Sequence, residues 1–241
     1  MTRTIGQLFD LTGKTALVTG SSRGLGLQMA YALGEAGARI MLSSRKADDL
    51  EQATAELQGA GIDARWVVAD CALEGDIRRL ADETLQRMGD VDILVNNAGA
   101  AWGAPAEADP LAAWDKVMNL SVRGYFILSQ IIARKSMIAR RSGRIINIAS
   151  IAGLGGSPPE MTPIAYNTAK GAVINLTSAL GAEWRKYNIT VNAICPGFFP
   201  DGLGDDEDLK GLCVLFASDA GKHITGQWLA VDGGAGVVTG G

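Results

Sequence analysis

KTALVTGSSRGLG, residues 14–26, runs from β-branched and apolar side chains into three glycines, Gly20, Gly24 and Gly26. Residues 14–20 read as a β-strand on their Val, Thr and Leu content. Residues 25–37 read as the helix that follows. Between them, Thr19-Gly20-Ser21-Ser22-Arg23-Gly24-Leu25-Gly26 forms a glycine-rich turn at the helix entrance. Glycine there lets the backbone take positive φ and come close to a ligand. The first turn of a helix also offers free N–H groups and the positive end of its dipole, which suits a pyrophosphate. A plain strand-to-helix turn uses the same residues, so the motif gains force only from its surroundings.

Outward from that turn the pattern repeats. Further strands are expected at 39–44, 64–69, 91–96, 144–149, 189–194 and 227–231. Helices are expected at 47–61, 74–88, 110–140, 162–187 and about 206–218. Short apolar strands separated by helices predict βαβ units and a parallel sheet covered on both faces. Right-handed crossovers then give a doubly wound α/β fold of seven strands, mostly parallel. No linker, repeat or low-complexity block divides the 241 residues, so a single domain over 1–241 is expected.

The bulk properties exclude several function classes. Net charge is −4 and no basic stripe appears, which argues against a nucleic-acid partner. The first twenty residues carry Arg3, Asp10 and Lys14 and no apolar stretch of the kind a secretory leader needs. No apolar run is long enough for a membrane span. Cys71, Cys195 and Cys213 are too far apart for a zinc pattern or a disulfide framework, so a reducing cytoplasm is the expected compartment. His223 is the sole histidine, which rules out a multi-histidine metal site, and no metal is expected. A Ser-His-Asp triad would depend on that same His223, and no nucleophile-elbow motif accompanies it.

In open α/β sheets, ligands bind beyond the carboxyl ends of the strands. Gly20, Ser44, Asp70, Asn97, Ser150 and Pro196 each follow one of the expected strands, so one edge of the sheet collects them all.

The glycine spacing is GxxxGxG, and with it the chain resembles the short-chain dehydrogenase/reductase family. Asn96-Asn97-Ala98-Gly99, Asn119, Ser150, Tyr166-Asn167-Thr168-Ala169-Lys170 and Pro196-Gly197 match that family's motifs in order, across nearly the whole chain. The resemblance implies a Rossmann-type fold and hydride transfer between a nicotinamide and a carbonyl or secondary alcohol carbon. Among family members, those acting as 3-oxoacyl-carrier-protein reductases or gluconate 5-dehydrogenases are the most similar. The resemblance also implies that Ser22, Arg23, Gly24, Leu25, Gly26, Cys71, Ala98, Gly99, Gly197 and Phe199 take part in cofactor binding, beside the strand-end residues above. It gives Asn119 the task of positioning a water for proton supply to Lys170, and Lys170 that of holding the nicotinamide ribose.

The choice between nicotinamides turns on the end of the second strand, where an NAD-binding chain usually carries an acidic residue for the ribose 2′-OH. Ser44 stands there, followed by Arg45, with Arg23 in the glycine-rich turn. A guanidinium forks onto a 2′-phosphate that a carboxylate would repel. NADP(H) is therefore expected, ahead of NAD(H), with Asp70 on the adenine side.

Tyr166 and Lys170 lie four apart on an expected helix and share a face. A free tyrosine titrates near pH ~10, and a neighbouring ammonium is expected to lower that value. Ser150 is expected to hydrogen-bond the reacting oxygen and steady its developing charge. Tyr166 is thus the expected general acid/base.

Two departures from the family stand out. Residues 155–163, with Pro158, Pro159 and Pro163, make the stretch before Tyr166 a little longer than usual and predict a stiff wall beside the pocket. After Gly197, only residues 198–204 precede the acidic start of the next helix, too few for the pair of short covering helices that the resemblance implies. Either that cover is lacking, or residues between about 199 and 203 are missing from the chain, with a peptide break there. A cofactor-sensing protein without turnover is the alternative of another class, and the intact Ser150, Tyr166 and Lys170 argue against it. The apolar runs in 110–140 (Tyr125, Phe126, Ile127, Leu128, Ile131, Ile132) and 162–187 (Val173, Ile174, Leu176, Leu180) are longer than one side of a sheet needs. With the family resemblance they predict pairing of these helices across two-fold axes, as a homotetramer.

Overall fold

The computed structural model describes residues 2–157, 161, 163–197 and 206–237. Its centre is a seven-stranded sheet: β1 (Thr15–Thr19), β2 (Arg39–Ser44), β3 (Ala64–Val68), β4 (Ile93–Asn96), β5 (Gly143–Ile148), β6 (Ile189–Pro196) and β7 (Trp228–Val231). Every neighbouring pair is parallel and the order is β3-β2-β1-β4-β5-β6-β7. This is the doubly wound Rossmann architecture read from the sequence.

The helices are α1 (Ile5–Phe9), α2 (Gly24–Glu35), α3 (Ala47–Gly59), α4 (Glu74–Met88), α5 (Leu111–Met118), α6 (Gly124–Ile132), α7 (Ile138–Arg140), α8 (Ile164–Trp184) and α9 (Lys210–Ala217). Strand side chains alternate between the two faces. Ala16, Val18, Ile40, Leu42, Ile93 and Val95 pack with Met29, Leu33, Leu50 and Phe216 of α2, α3 and α9. Leu17, Met41 and Leu94 point the other way, into a cluster with Leu80, Leu128, Ile132 and Leu180 of α4, α6 and α8. Both faces being covered explains why β1, β5 and β6 are buried at every residue.

The expected helix over 110–140 is present, interrupted by two π-helical turns at Asn119–Arg123 and Ala133–Met137. Single π turns of this kind occur frequently at functional sites. The helix is pressed onto the end of β3 where the first of them closes. A Cβ on Gly124 would lie 2.3 Å from the carbonyl oxygen of Cys71. Helix α1 was not expected. It has no buried residue and rests on a capping box between Thr4 and Gln7.

The apolar excess expected to drive assembly is mostly spent inside the chain. Tyr125, Ile127, Leu128, Ile131, Ile132, Val173 and Leu180 are all buried, because α6 and α8 lie against the sheet and each other. Only Phe126 remains openly exposed, with Ile174 and Leu176 half-buried. Residues 198–205, including Phe199 and the expected cover or break, lie outside the described residues, as do Pro158, Pro159, Glu160 and Thr162 of the expected wall. Among the described residues, no helix is long and apolar enough to cross a membrane.

Candidate active site

The strand order reverses at β1, whose neighbours are β2 and β4. Open α/β sheets place their ligand crevice at such a point. Here it holds a trough of about 610 Å³ lined by Gly20, Ser22, Arg23 and Gly24 of the glycine-rich turn. Ser44, Arg45, Asp70 and Cys71 form its far wall, and Asn97, Ala98 and Gly99 its near end.

The turn is braced by hydrogen bonds to the strands on either side. Thr19 Oγ1 accepts from the backbone N–H groups of Asn97 and Ala98, at 3.0 and 3.1 Å. The Asn97 side-chain amide donates to the carbonyls of Thr19 and Gly20, at 3.0 and 2.9 Å. Ser21 Oγ accepts from the backbone of Ser43 at 3.0 Å and donates to the Val18 carbonyl at 2.7 Å. Gly20 has φ +63°, and a Cβ there would sit 2.8 Å from Ala98 Cα. Gly26 faces the turn's interior: a Cβ would meet the Gly20 carbonyl oxygen at 2.3 Å. Gly26 therefore shapes the turn and does not line the trough. Asn97 lines it, but its amide is engaged in holding the turn.

At the end of β2, the Ser44 hydroxyl is buried and has no hydrogen-bond partner. Arg45 beside it and Arg23 across the trough are exposed. Lys46 and Asp49, which the sequence reading did not single out, also line the trough. The adjacency of Lys46 to Arg45 was the available signal for a third cation. Asp70 Oδ1 accepts the Ala72 N–H at 2.9 Å and so fixes the loop after β3.

A second cavity, about 280 Å³, continues from the trough and shares Asn97 and Gly99 with it. Ser150, Tyr166 and Lys170 line it together with Leu25, Pro196 and Gly197. Ser150 follows β5 and caps the short turn Ile151–Gly153, its hydroxyl accepting the Ala152 N–H at 3.1 Å. Tyr166 and Lys170 come from the first turns of α8. Gly153 lets the Ser150 turn lie against α8: a Cβ there would be 2.5 Å from the Lys170 carbonyl carbon. Three of the four expected catalytic residues, Ser150, Tyr166 and Lys170, are thus gathered in one cavity.

Their electrostatics differ from the expectation in one respect. Burial raises the Tyr166 phenol above its ordinary range, and its hydrogen bond with Ser150 pulls it partway back. The expected lowering by Lys170 is not the governing effect, because Lys170 is itself desolvated. It is 3% exposed, and burial brings its ammonium down to about 8. Its Nζ donates to the Ile148 carbonyl at 2.6 Å and stands 5.5 Å from the centre of the Tyr166 ring. Burial also raises the thiols, Cys71 and Cys213 to about 12 and Cys195 to about 11, so all three are poor nucleophiles.

Asn119 is placed apart from this group. Its side chain is exposed and lines neither cavity. Two residues on, Ser121 is fully buried with an unpartnered hydroxyl. Ser121 lies four residues after Val117, which packs against Ala165 and Ala169 of α8, and four before Tyr125. Of these two residues, the long helix buries Ser121 and leaves Asn119 exposed. The signal for this lay in the apolar spacing of Val117, Tyr125 and Leu128.

Comparison with known proteins gives the family. Residues 14–206 match the short chain dehydrogenase family. A rhamnolipids biosynthesis 3-oxoacyl-[acyl-carrier-protein] reductase of Pseudomonas aeruginosa is 35% identical over 252 aligned positions, covering 94% of this chain and 97% of the relative. That alignment is longer than the chain, so the relative carries residues for which this chain has no counterpart. An NAD-dependent glycerol dehydrogenase of Listeria innocua is 36% identical, covering 94% of this chain and 95% of its own. Among solved structures, a gluconate 5-dehydrogenase of Burkholderia cenocepacia in complex with NADP and tartrate superposes with a TM-score of 0.91 at 35% identity. It covers 98% of this chain and 100% of its own.

Proposed function

The chain belongs to the short chain dehydrogenase family and is an NAD(P)-dependent oxidoreductase acting on CH–OH groups; we propose that it uses NADP(H), with Tyr166 as general acid/base. The observation that carries the cofactor choice is the end of β2. A buried, unpartnered Ser44 hydroxyl stands where an acidic residue would repel a 2′-phosphate, with Arg45, Lys46 and Arg23 around it. The trough and cavity fit a dinucleotide: the trough runs along the glycine-rich turn at the entrance of α2, whose free N–H groups suit a pyrophosphate, and Gly99 continues toward Lys170.

When bound, a nicotinamide supplies or accepts the hydride. Tyr166 then delivers its phenolic proton to the carbonyl oxygen, or removes one from the alcohol. Ser150, hydrogen-bonded to the same phenol, holds that oxygen and stabilises the charge that develops on it. Lys170 favours the phenolate left behind and, by the family resemblance, holds the ribose.

For the substrate, the described lining of the cavity contains Lys170 as its sole charged side chain, beside Ala100, Ala101, Ile148 and Ala149. Segments bordering it carry exposed Trp102, Leu154 and Ile164. These residues favour an apolar or neutral carbonyl, such as an oxoacyl thioester, over a sugar acid that would need a cationic partner. NADPH and NADH oxidation against simple ketones, a 3-oxoacyl thioester and 5-ketogluconate tests all three choices. Turnover of 5-ketogluconate alone would overturn the substrate reading, and equal use of NADH the cofactor reading.

We further infer a cytoplasmic homotetramer. Its contacts would use exposed Phe126 on α6 and the edge strand β7, which carries exposed Trp228 and Leu229 and an unpaired row of backbone groups. A monomeric mass by light scattering at micromolar concentration would contradict it.

A further inference from the structure

Lys170 is an ammonium in a place that disfavours one. It is nearly fully buried, and among the described residues no carboxylate pairs with it. The groups that face it are the Tyr166 ring on α8, the Cys195 thiol on β6, the Ile148 carbonyl on β5 and the ring of Tyr125 on α6. Tyr125 lines neither cavity and is 2% exposed. Its ring centre lies 5.8 Å from Lys170 Nζ, and its hydroxyl donates to the Ile148 carbonyl at 3.4 Å, the same oxygen that accepts from Lys170. A cation within about 6 Å of an aromatic centroid is attracted to the ring's negative face, most strongly where water is excluded.

We propose that Tyr125 is a positioning residue for the reaction: its ring and that of Tyr166 together take the place of a counter-ion for Lys170 and hold the ammonium at the back of the catalytic cavity. This rests on the catalytic reading of Tyr166 and Lys170 given above. The fold supports it from two sides. Tyr125 follows Gly124, where the first π turn closes and the helix is pressed onto Cys71, which fixes the backbone beside the ring. Its ring also belongs to the small cluster of Ala149, Val173, Ala193 and Cys195, which fixes it between β5, β6 and α8. The titratable groups around Tyr125 are Tyr166 and Cys71, both neutral near pH 7, so no fixed negative charge substitutes for the ring.

The consequence is a pH signature. A desolvated ammonium that loses an aromatic face gives up its proton more easily. The alkaline limb of carbonyl reduction, where Lys170 deprotonates, then moves to lower pH. The test is a titration of ¹⁵N/¹³C-lysine-labelled full-length protein by NMR, following the Lys170 side chain with and without NADP⁺, beside the pH profile of kcat/KM. Tyr125→Leu is expected to lower the Lys170 midpoint, and the limb with it, by on the order of half to one pH unit. Tyr125→Phe keeps the ring and is expected to keep the wild-type midpoint. Should Tyr125→Leu fail to fold, Tyr125→Met carries the same expectation. A midpoint in the Leu or Met variant equal to wild type overturns the proposal. So does a Phe variant that shifts as far as they do, since the hydroxyl would then be the acting group. If the wild-type protein turns over no carbonyl at all, the proposed function fails, while the NMR titration still decides the role of Tyr125.

Discussion

The trough beyond β1, β2 and β3 and the cavity beyond β4, β5 and β6 meet at Asn97 and Gly99, yet they are made of different materials. The trough is largely backbone. Its shape comes from glycines that no Cβ would fit and from hydroxyls and an amide tied to carbonyls, and its charges, Arg23, Arg45 and Lys46, stand in solvent. The cavity is made of ionisable side chains taken out of water, with Tyr166 raised and Lys170 lowered by burial. The first arrangement holds a ligand at little cost to the fold. The second holds the Lys170 ammonium where the interior disfavours it, so chemistry and stability should oppose each other at one end of the site and not at the other.

The sharpest way to break that division is Tyr166→Phe. Removing one hydroxyl from the cavity should lower kcat by about 10²–10⁴-fold, the usual worth of a positioned general acid. The dissociation constant for NADPH, measured by fluorescence, should stay close to wild type because the trough is untouched. Wild-type turnover would end the catalytic assignment. Lost turnover with equally lost binding would mean that the two ends are not separable.

Lys170→Met tests the claimed cost. In the folded chain Lys170 titrates near 8, below the ~10.4 of an unfolded lysine. Between those values the unfolded chain binds more protons, so stability attributable to this group rises with pH across that window. At pH 7 both states are protonated and the full burial cost is present. Lys170→Met should therefore abolish turnover yet raise stability at pH 7 by on the order of 1–3 kcal/mol, with the gain fading above pH ~10. Urea unfolding at the two pH values measures it. A loss of stability at pH 7 would show that the Ile148 hydrogen bond and the aromatic contacts outweigh desolvation.

A smaller effect belongs to the trough. Arg45→Asp exchanges attraction for repulsion at a solvent-exposed position. It should move the ratio of kcat/KM for NADPH over NADH by on the order of tenfold toward NADH, near the worth of one charge-assisted hydrogen bond. An unmoved ratio would leave Lys46 and Arg23 as the readers of the 2′-phosphate.

The same contrast separates what was legible in the sequence from what was not. Strands buried on both faces announce themselves as apolar runs, and Arg39–Ser44 and Glu74–Met88 have the expected bounds. The glycine-rich turn was legible because its chemistry is local: strand, glycines and helix are contiguous. Ser150, Tyr166 and Lys170 could be placed because each lies at a strand or helix end facing the same sheet edge. The direction of the Tyr166 shift was not legible, since it depends on how deeply Lys170 is buried, a property of packing among α6, α8 and β5. Helix α1 rests on a cap and no core contact, so apolar periodicity carried no trace of it. The π turns were hidden for a different reason. They lie at either end of the apolar run 124–132, in the mixed stretches Asn119–Arg123 and Ala133–Met137, which keep no strict apolar period for an extra residue to break.

Those π turns decide the smallest prediction, at the border between cavity and core. Asn119 is exposed and Ser121 is fully buried, so the two face different ways. Burial tells which is which: Val117 is buried against Ala165 and Ala169, and Ser121 is fully buried like it. Asn119 lies on the far side, exposed and without a side-chain hydrogen bond among the described residues. An unpartnered buried hydroxyl costs stability, so one that is retained is a candidate for a role in the site, and among the described residues the Ser121 hydroxyl is such a group. Asn119→Ala should therefore leave kcat within about twofold of wild type, the usual range for a surface change outside the chemistry. Ser121→Ala should lower kcat by more than Asn119→Ala while leaving thermal stability equal or slightly higher, because it deletes an unsatisfied polar atom from the interior. The reverse order of the two kcat losses would return the water-positioning role to Asn119.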